Sequence, residues 1–409
     1  MTLTLDRRTR PDGDTRVIVP DAFFAREFAG LATRHGRIAA QAVLALGAPP
    51  LTIEVDGQAW TIKRDGETLV ARADRAVGAL IVSLSAHQFS DWVQNQMTFN
   101  GFLVARALSF RDGNLSDVSV WDSIWTALLE GWAVVGAEPT FIDRYGAPLD
   151  LNRIFTPADD PENIRHFLAG AGYLHLRGWL DPADMAAISA EMDEALPLAV
   201  EGDGKSWWAE LDDGSRRCVR LQDFAGRSPT TTRILASARW ADMISLIAGD
   251  DELMQGRYVE ALTKPVGVIA GPSDVSFHRD CHLGRHAYLC ARRTIGIAIT
   301  PTSEENGSLR VIAGSHRLAM PVEIAKTKPY LPVVAVATMP GDLTVHLSCT
   351  LHDSTPPRKS ERRVMYIETS MAPLPGAIFA GPTAEETLRE QVNAIHRDVS
   401  PTGRSSRAT

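Results

Sequence analysis

The spacing of apolar residues changes period several times along this chain, and each change marks an element. Phe23 to Leu46 carries apolar side chains at helical spacing in Ala-rich turns and runs out at Gly47-Ala48-Pro49-Pro50, which predicts a helix. From Leu51 the period drops to two. Leu51, Ile53 and Val55 alternate with polar residues, Asp56-Gly57 signals a hairpin, and Gln58 to Lys63 returns with Trp60 and Ile62 on one face. Asp65-Gly66 then precedes a third strand, Thr68 to Ala73, giving an antiparallel meander. Ala79 to Leu84 reads as a further strand, and Ser85-x-x-Gln88 is a capping box opening a helix with Phe89, Trp92 and Val93 on one side. A strand is expected around Leu103 to Phe110. Trp121, Ile124, Trp125 and Leu128 then mark an amphipathic helix stopped by Gly131. Residues 22–138 are therefore an α+β unit behind a flexible lead, 1–21, and its tryptophans are read as core.

Residues 139–158 lose periodicity and gain turn residues, the pattern of a linker. Asp160-Pro161 and Asp181-Pro182 each pair a capping side chain with a proline at the first helical position, and the short strand Tyr173 to Leu176 lies between the two helices they open. Glu201 to Pro229 shows weak periodicity and reads as a loop or lid. Trp207, Trp208, Arg217 and Arg220 within it are candidate substrate contacts, although an ordinary surface role is the plainer reading for each. From Arg257 the chain becomes short strands broken by Gly and Pro, the pattern of a sandwich or jelly roll, a fold that includes the cupins. Residues 159–375 form this second domain. Residues 376–409 are expected to hold one helix, Ala384 to Ile395, and a disordered tail.

Composition narrows the class. The 409 residues are 44% hydrophobic and 22% charged, an ordinary globular balance with room for two cores. The formal charge of −8 argues against a nucleic-acid surface, which needs clustered Lys and Arg. No apolar segment is long enough to cross a bilayer and Met1 to Asp14 has no apolar core, so a cytoplasmic location is expected. A homodimer is compatible with all of this. Cys218, Cys281, Cys290 and Cys349 show no C-x-x-C spacing and are read as reduced, with Cys281 as a small buried apolar residue.

The candidate chemistry centres on Ser276-Phe277-His278-Arg279-Asp280 and Thr350-Leu351-His352. In an extended strand, His278 and Asp280 point to one face and can share an ion. With His352 they make two histidines and one carboxylate, the facial triad of non-haem Fe(II) oxygenases. His346, six residues before His352, is the rival third ligand. His278, His282 and His286 also fall at i, i+4 and i+8, which on a helix would hold zinc, but Gly284 and the strand-like approach oppose a helix there. His282 is therefore kept as a loop residue near the pocket mouth and a candidate substrate contact. His175 and His316 are taken as structural.

In order along the chain, Lys264-Pro265, His278-x-Asp280, Gly307-Ser308-Leu309-Arg310-Val311-Ile312, Gly314-Ser315-His316, Pro340-Gly341-Asp342-Leu343, His352-x-Ser354-x-Pro356 and Arg363 resemble the phytanoyl-CoA dioxygenase family of Fe(II)- and 2-oxoglutarate-dependent oxygenases. The resemblance spans about residues 160–375. It implies a double-stranded β-helix in which His278, Asp280 and His352 hold iron. It also implies that Arg363 anchors 2-oxoglutarate, with Ser354 and Lys264 beside it. Arg362 competes for that role, because both Val364/Tyr366 and Met365/Ile367 can serve as an inner face. Pro357 stands where the family commonly has Asn. The implied reaction consumes O2 and 2-oxoglutarate, releases succinate and CO2, and hydroxylates or otherwise oxidises a small substrate, acyl-type or from secondary metabolism. An intact Asp280 points away from halogenation. The amino-terminal unit, with Val82-Ser83-Leu84-Ser85-Ala86 leading into the Trp92 helix, resembles sterol-carrier-protein-2-like domains, which implies an apolar ligand pocket. Two other readings are a binding protein with an inactive jelly roll and a zinc hydrolase built on His278, His282 and His286.

Overall fold

The structure, a computed structural model, describes residues 16–136, 139–249, 253–273, 275–283, 286, 290, 292–327 and 330–371. Strands β1 (Leu51–Val55), β2 (Gln58–Asp65), β3 (Thr68–Arg72), β4 (Leu80–Leu84) and β5 (Ser109–Arg111) form the amino-terminal sheet in the order β3-β2-β1-β4-β5. The two predicted hairpins are present, and β4 runs parallel to β1. Helices Phe28–Leu46 and Leu115–Glu130 belong to the same core, which holds Trp60, Trp92, Trp121 and Trp125. Trp92 stacks on Trp125 at 3.8 Å and on Phe99 at 5.0 Å, so these rings fill space as the alternation required.

One expectation here is corrected. Residues from Leu103 do not extend directly into a strand; Phe99–Val104 is helical and only Ser109–Arg111 is β. Asp122 accepts the N–H groups of Phe99 (2.6 Å) and Asn100 (2.7 Å), and Thr98 caps Gly101 (3.0 Å). These bonds satisfy the orphan donors of a helix start, and the Asp122 contribution comes from another helix, which sequence spacing does not show.

The second half contains β6 (Tyr173–Leu176), β7 (Ser206–Leu211), β8 (Arg216–Leu221), β9 (Leu253–Lys264), β10 (Val268–Ala270), β11 (Val275–His278), β12 (Arg293–Ala298), β13 (Leu309–Ile312), β14 (Val333–Val336), β15 (Leu343–Leu347), β16 (His352–Ser354) and β17 (Arg362–Met371). They form an eight-stranded sheet, β10-β7-β8-β9-β17-β12-β15-β6, facing a four-stranded one, β11-β16-β13-β14. This is the expected double-stranded β-helix. Both Asp-Pro helix starts are present, Asp160 capping Pro161–Ala171 and Asp181 capping Pro182–Ala195. These two helices share a core with Ile295, Ile297, Val345, Met365 and Ile367 of the large sheet.

The supposed loop at Glu201 to Pro229 is in part a hairpin: β7 and β8 pair around the turn at Asp213-Gly214, with a bulge opposite Trp207 and Trp208. β7 alternates without a break; the extra residue is on β8, where Cys218 and Val219 are both buried and the period-2 signal is lost. The expected helix Ala384 to Ile395, the tail after it and the lead before Arg16 lie outside the described residues.

Candidate metal and 2-oxoglutarate site

Three elements bring the triad together. His278 ends β11, Asp280 opens a short 3-10 turn, and His352 starts β16, which pairs with β11 so that His278 and His352 are register partners. Asp280 is not on the strand, so the i, i+2 argument reached the right neighbours through a turn. The carboxylate Oδ1 lies 3.4 Å from His278 Nε2 and 3.5 Å from His352 Nε2. A ligand atom from each of the three lies within 4.8 Å of the others.

Hydrogen bonding sets the tautomers. His278 Nδ1 donates to the carbonyl of Ser276 and His352 Nδ1 to that of Thr350, each at 2.9 Å. A carbonyl only accepts, so each Nδ1 carries the proton and each Nε2 presents its lone pair toward Asp280. The other carboxylate oxygen, Oδ2, accepts from Thr294 Oγ1 at 2.9 Å and from His346 Nε2 at 3.3 Å. Thr294 and His346 are cross-strand partners on β12 and β15, so one rung of the large sheet fixes the carboxylate orientation. His346, the rival ligand, thus stands beside the triad, 4.1 Å from His352 between ring centroids, and holds the oxygen that the triad leaves over.

The electrostatics match. Burial pushes the Asp280 carboxyl up, but the neighbouring imidazoles of His352, His278 and His346 outweigh it, leaving the group well below its usual range. Burial and the neighbouring His346 and His278 hold His352 well below an ordinary imidazole. His278 is also opposed by burial, yet its contact with Asp280 prevails and raises it. Two imidazole lone pairs and an anionic oxygen converging with their far sides tied down are a donor set that fits Fe(II).

A small cavity of about 10 Å³ lies between the two sheets, lined by Gly296, Ala298, Thr344, Arg362 and Val364 of the large sheet and by Leu309 and Val336 of the small one. Strand alternation fixes its wall. On β17 the even-numbered residues Arg362, Val364 and Tyr366 face inward, and on β12 and β15 the same face carries Thr294 and His346 at the triad. Cavity and triad therefore share one lumen.

Arg362 is buried in this lumen. Its guanidinium donates to Gly307 O (2.7 Å), Ser354 Oγ (2.8 Å) and Tyr366 Oη (3.0 Å), and Nε has no partner. Lys264 Nζ reaches the same Ser354, 2.8 Å from both its carbonyl and its hydroxyl. Two buried cations thus converge on Ser354, and every side-chain bond of Arg362 goes to a neutral oxygen.

Arg363, favoured from sequence as the anchor, is placed on the other face. Its guanidinium bonds Ser189 (3.0 Å), Asp193 (2.7 Å) and Glu361 (2.8 Å), against the outer helix Pro182–Ala195. The reason is the alternation itself: both faces of β17 are covered, so apolar pattern alone left two solutions, and the register with β12 turns Arg362 inward.

The other sequence candidates divide. Ser354 and Lys264 are at the lumen. Trp207 is buried with Ala209 and Val219 beneath the Arg220 guanidinium, which pairs with Glu260. Trp208 packs against the main core, and Arg217 bonds Glu361 at 2.9 Å, so neither lies on the cavity wall. The His278, His282, His286 series is not a helix: His278 groups with Asp280 and His352, while His282 and His286 group with Cys281. His175 bonds Asp342 at 2.8 Å and His316 bonds Ala169 O at 2.9 Å, both as structural residues. Thr294 and Thr344 were missed, because only the register of β12 and β15 with β17 brings them to the face of Arg362 and Tyr366.

Residues 168–365 match the model of the phytanoyl-CoA dioxygenase (PhyH) family. The chain carries a PhyH-family domain. No curated protein matches the chain. Among solved structures, AviO1 from Streptomyces viridochromogenes Tue57 is 21% identical over 54% of this chain and 98% of that one, with a TM-score of 0.42. EctD from S. alaskensis with bound Fe is 20% identical over 52% and 78%, with a TM-score of 0.42. SnoN, a non-heme alpha ketoglutarate dependent epimerase from nogalamycin biosynthesis, is 24% identical over 51% and 80%, also at 0.42. The PhyH match begins after the amino-terminal unit, whose likeness to sterol-carrier-protein-2-like domains stays an expectation. No helix among the described residues is long and apolar enough to cross a membrane.

Proposed function

We propose that the protein is an Fe(II)- and 2-oxoglutarate-dependent dioxygenase that hydroxylates a small organic molecule. The observation that carries this reading is the pairing, inside one lumen, of the His278, Asp280, His352 donor set with the buried Arg362 guanidinium, whose Nε has no partner. When bound, iron would supply the redox chemistry by which O2 and 2-oxoglutarate become succinate, CO2 and one oxygen atom delivered to the substrate. His278, Asp280 and His352 would hold it through Nε2, Oδ1 and Nε2.

The remaining work is done by this chain's own groups. Arg362 binds the distal carboxylate of 2-oxoglutarate by forked, charge-assisted bonds, and Lys264 adds positive potential through Ser354. A buried guanidinium bonded only to neutral oxygens gains most from an anion. Thr294 and His346 keep Asp280 presenting one oxygen. Gly296, Ala298 and Val364 narrow the lumen and exclude water from between the two ends.

The test is anaerobic addition of Fe(II) and 2-oxoglutarate to the metal-free protein, followed by visible absorption of the iron chelate. The band is expected in the parent and absent in Asp280→Ala and His352→Ala. Absence of the band from a folded parent that instead takes up zinc tightly at the triad would overturn the reading.

A further inference from the structure

The turn that carries Asp280 also carries a second set of metal-ligand side chains that the oxygenase reading does not use. Cys281 follows Asp280, Cys349 lies between β15 and β16, and Cys290 comes from the stretch between β11 and β12. Their Sγ atoms all lie within 4.8 Å of one another, and Cys290 Sγ is 3.0 Å from Cys349 Sγ without a disulfide. A nitrogen of His282 lies within 4.8 Å of Cys281 Sγ and of a nitrogen of His286, a group that shares only Cys281 with the three sulfurs, and His282 Nδ1 is buried with no hydrogen-bond partner. Backbone bonds hold the arrangement: Cys281 N–H donates to Ser348 O at 3.3 Å, and Ser348 donates through N and Oγ to Arg292 O at 3.0 Å each.

Three clustered cysteines can be mere apolar filling. The charge around them argues otherwise. Arg279 is 5% exposed, and its guanidinium donates to four carbonyls: Cys349 (2.9 Å), Met320 (2.7 Å), Ser315 and Leu318 (3.0 Å each). Among the described residues it has no carboxylate partner. A buried cation without a counter-charge is costly, and this one stands against the cysteines: its Nε donates to the Cys349 carbonyl and Cys281 lies two residues along the chain. Three thiolates around a divalent cation carry one net negative charge, the amount that offsets Arg279.

We propose that Cys281, Cys290 and Cys349 bind a structural zinc ion, with His282, beside Cys281, turning in as the fourth ligand. Three thiolates and one imidazole are a four-coordinate set that zinc takes in closed, non-catalytic sites. No ligand is shared with the iron triad. The ion would tie the turn just after Asp280 to the turn just before Thr350–His352, so that two of the three iron ligands stand on a common brace.

The experiment is metal analysis of the purified protein, produced with both iron and zinc supplied, together with triad and cysteine variants. About one zinc per chain is expected in the parent and in Asp280→Ala and His352→Ala, and loss of that zinc in Cys290→Ala and Cys349→Ala. Because a cysteine variant can fail to fold, the parent is also loaded with Co(II), where tetrahedral ligand-field bands with thiolate charge transfer are expected. Zinc that disappears with His352→Ala but survives Cys349→Ala overturns the proposal. So does a parent free of zinc, or one that shows two instead of four reactive thiols when denatured, which would mean a Cys290–Cys349 disulfide. The triad variants keep this outcome separate from the iron reading.

Discussion

Replacing Arg362 by alanine removes a guanidinium that is only 4% exposed and lines the cavity. Its printed partners are Gly307 O, Ser354 Oγ and Tyr366 Oη, so the group has charge-assisted capacity to spare for an anion. Two such bonds to a carboxylate contribute about 1.5–3 kcal/mol each, so Arg362→Ala should weaken 2-oxoglutarate by roughly 10²–10⁴-fold. Arg362→Lys keeps the charge without the fork and should fall between the two. Arg363→Ala is the control. It removes ion pairs to Asp193 and Glu361 and the bonds to Ser189, which costs about 1–3 kcal/mol of stability and should leave 2-oxoglutarate affinity unchanged. The assay is anaerobic titration of the Fe(II)-loaded protein with 2-oxoglutarate, read by chelate absorption, with a thermal melt to confirm folding. Retained affinity in Arg362→Ala, combined with loss in Arg363→Ala, would refute the placement of the anchor.

Thr294→Val removes a hydrogen bond to Asp280 Oδ2 while keeping shape; iron affinity should fall about 10–100-fold, measured by competition with a chelator. Gly307→Ala drives a Cβ into Thr355 O at φ +75°. Thermal denaturation should show a loss of about 2–4 kcal/mol, with weaker 2-oxoglutarate binding, since Gly307 O receives both Arg362 and Ser354. For pH, Asp342 is the sensitive group. Burial pushes its carboxyl up, but His175, Arg177 and the Met339 N–H outweigh this and lower it from 3.8 to about 2. A depressed carboxyl stabilises the fold fully above its unfolded pKa, and that contribution fades as pH falls from about 4 to 2. The shift corresponds to about 2 kcal/mol, so Asp342→Asn should flatten the acid limb of a stability–pH curve in that window.

Local chemistry made many of the elements legible. Asp56-Gly57 and Asp65-Gly66 turn where expected, Ser85 and Gln88 form their reciprocal cap, and Asp160-Pro161 and Asp181-Pro182 start helices. Each is a contest settled within a few residues. Elements that depend on distant partners were not legible: the helix at Phe99 needs Asp122, and the β7–β8 hairpin hides behind its bulge. In the candidate site, His278, Asp280 and His352 were named because ligand type and order are sequence properties. The partners of Asp280 were not, since Thr294 and His346 meet it only through the pairing of β12 with β15.

The sequence by itself determined the succession of elements, the jelly-roll pattern and the residue types able to hold iron, because hydrophobic period, caps and donor chemistry act locally. Only the tertiary structure decided which of Arg362 and Arg363 faces the lumen. Both faces of β17 are buried, one by helices and one by the lumen, so the alternation carried no polar face to show which was inside. The same holds for Cys281, Cys290 and Cys349, whose spacing along the chain matches no metal motif and whose sulfur atoms meet only when the turn after Asp280 folds against the turn before His352.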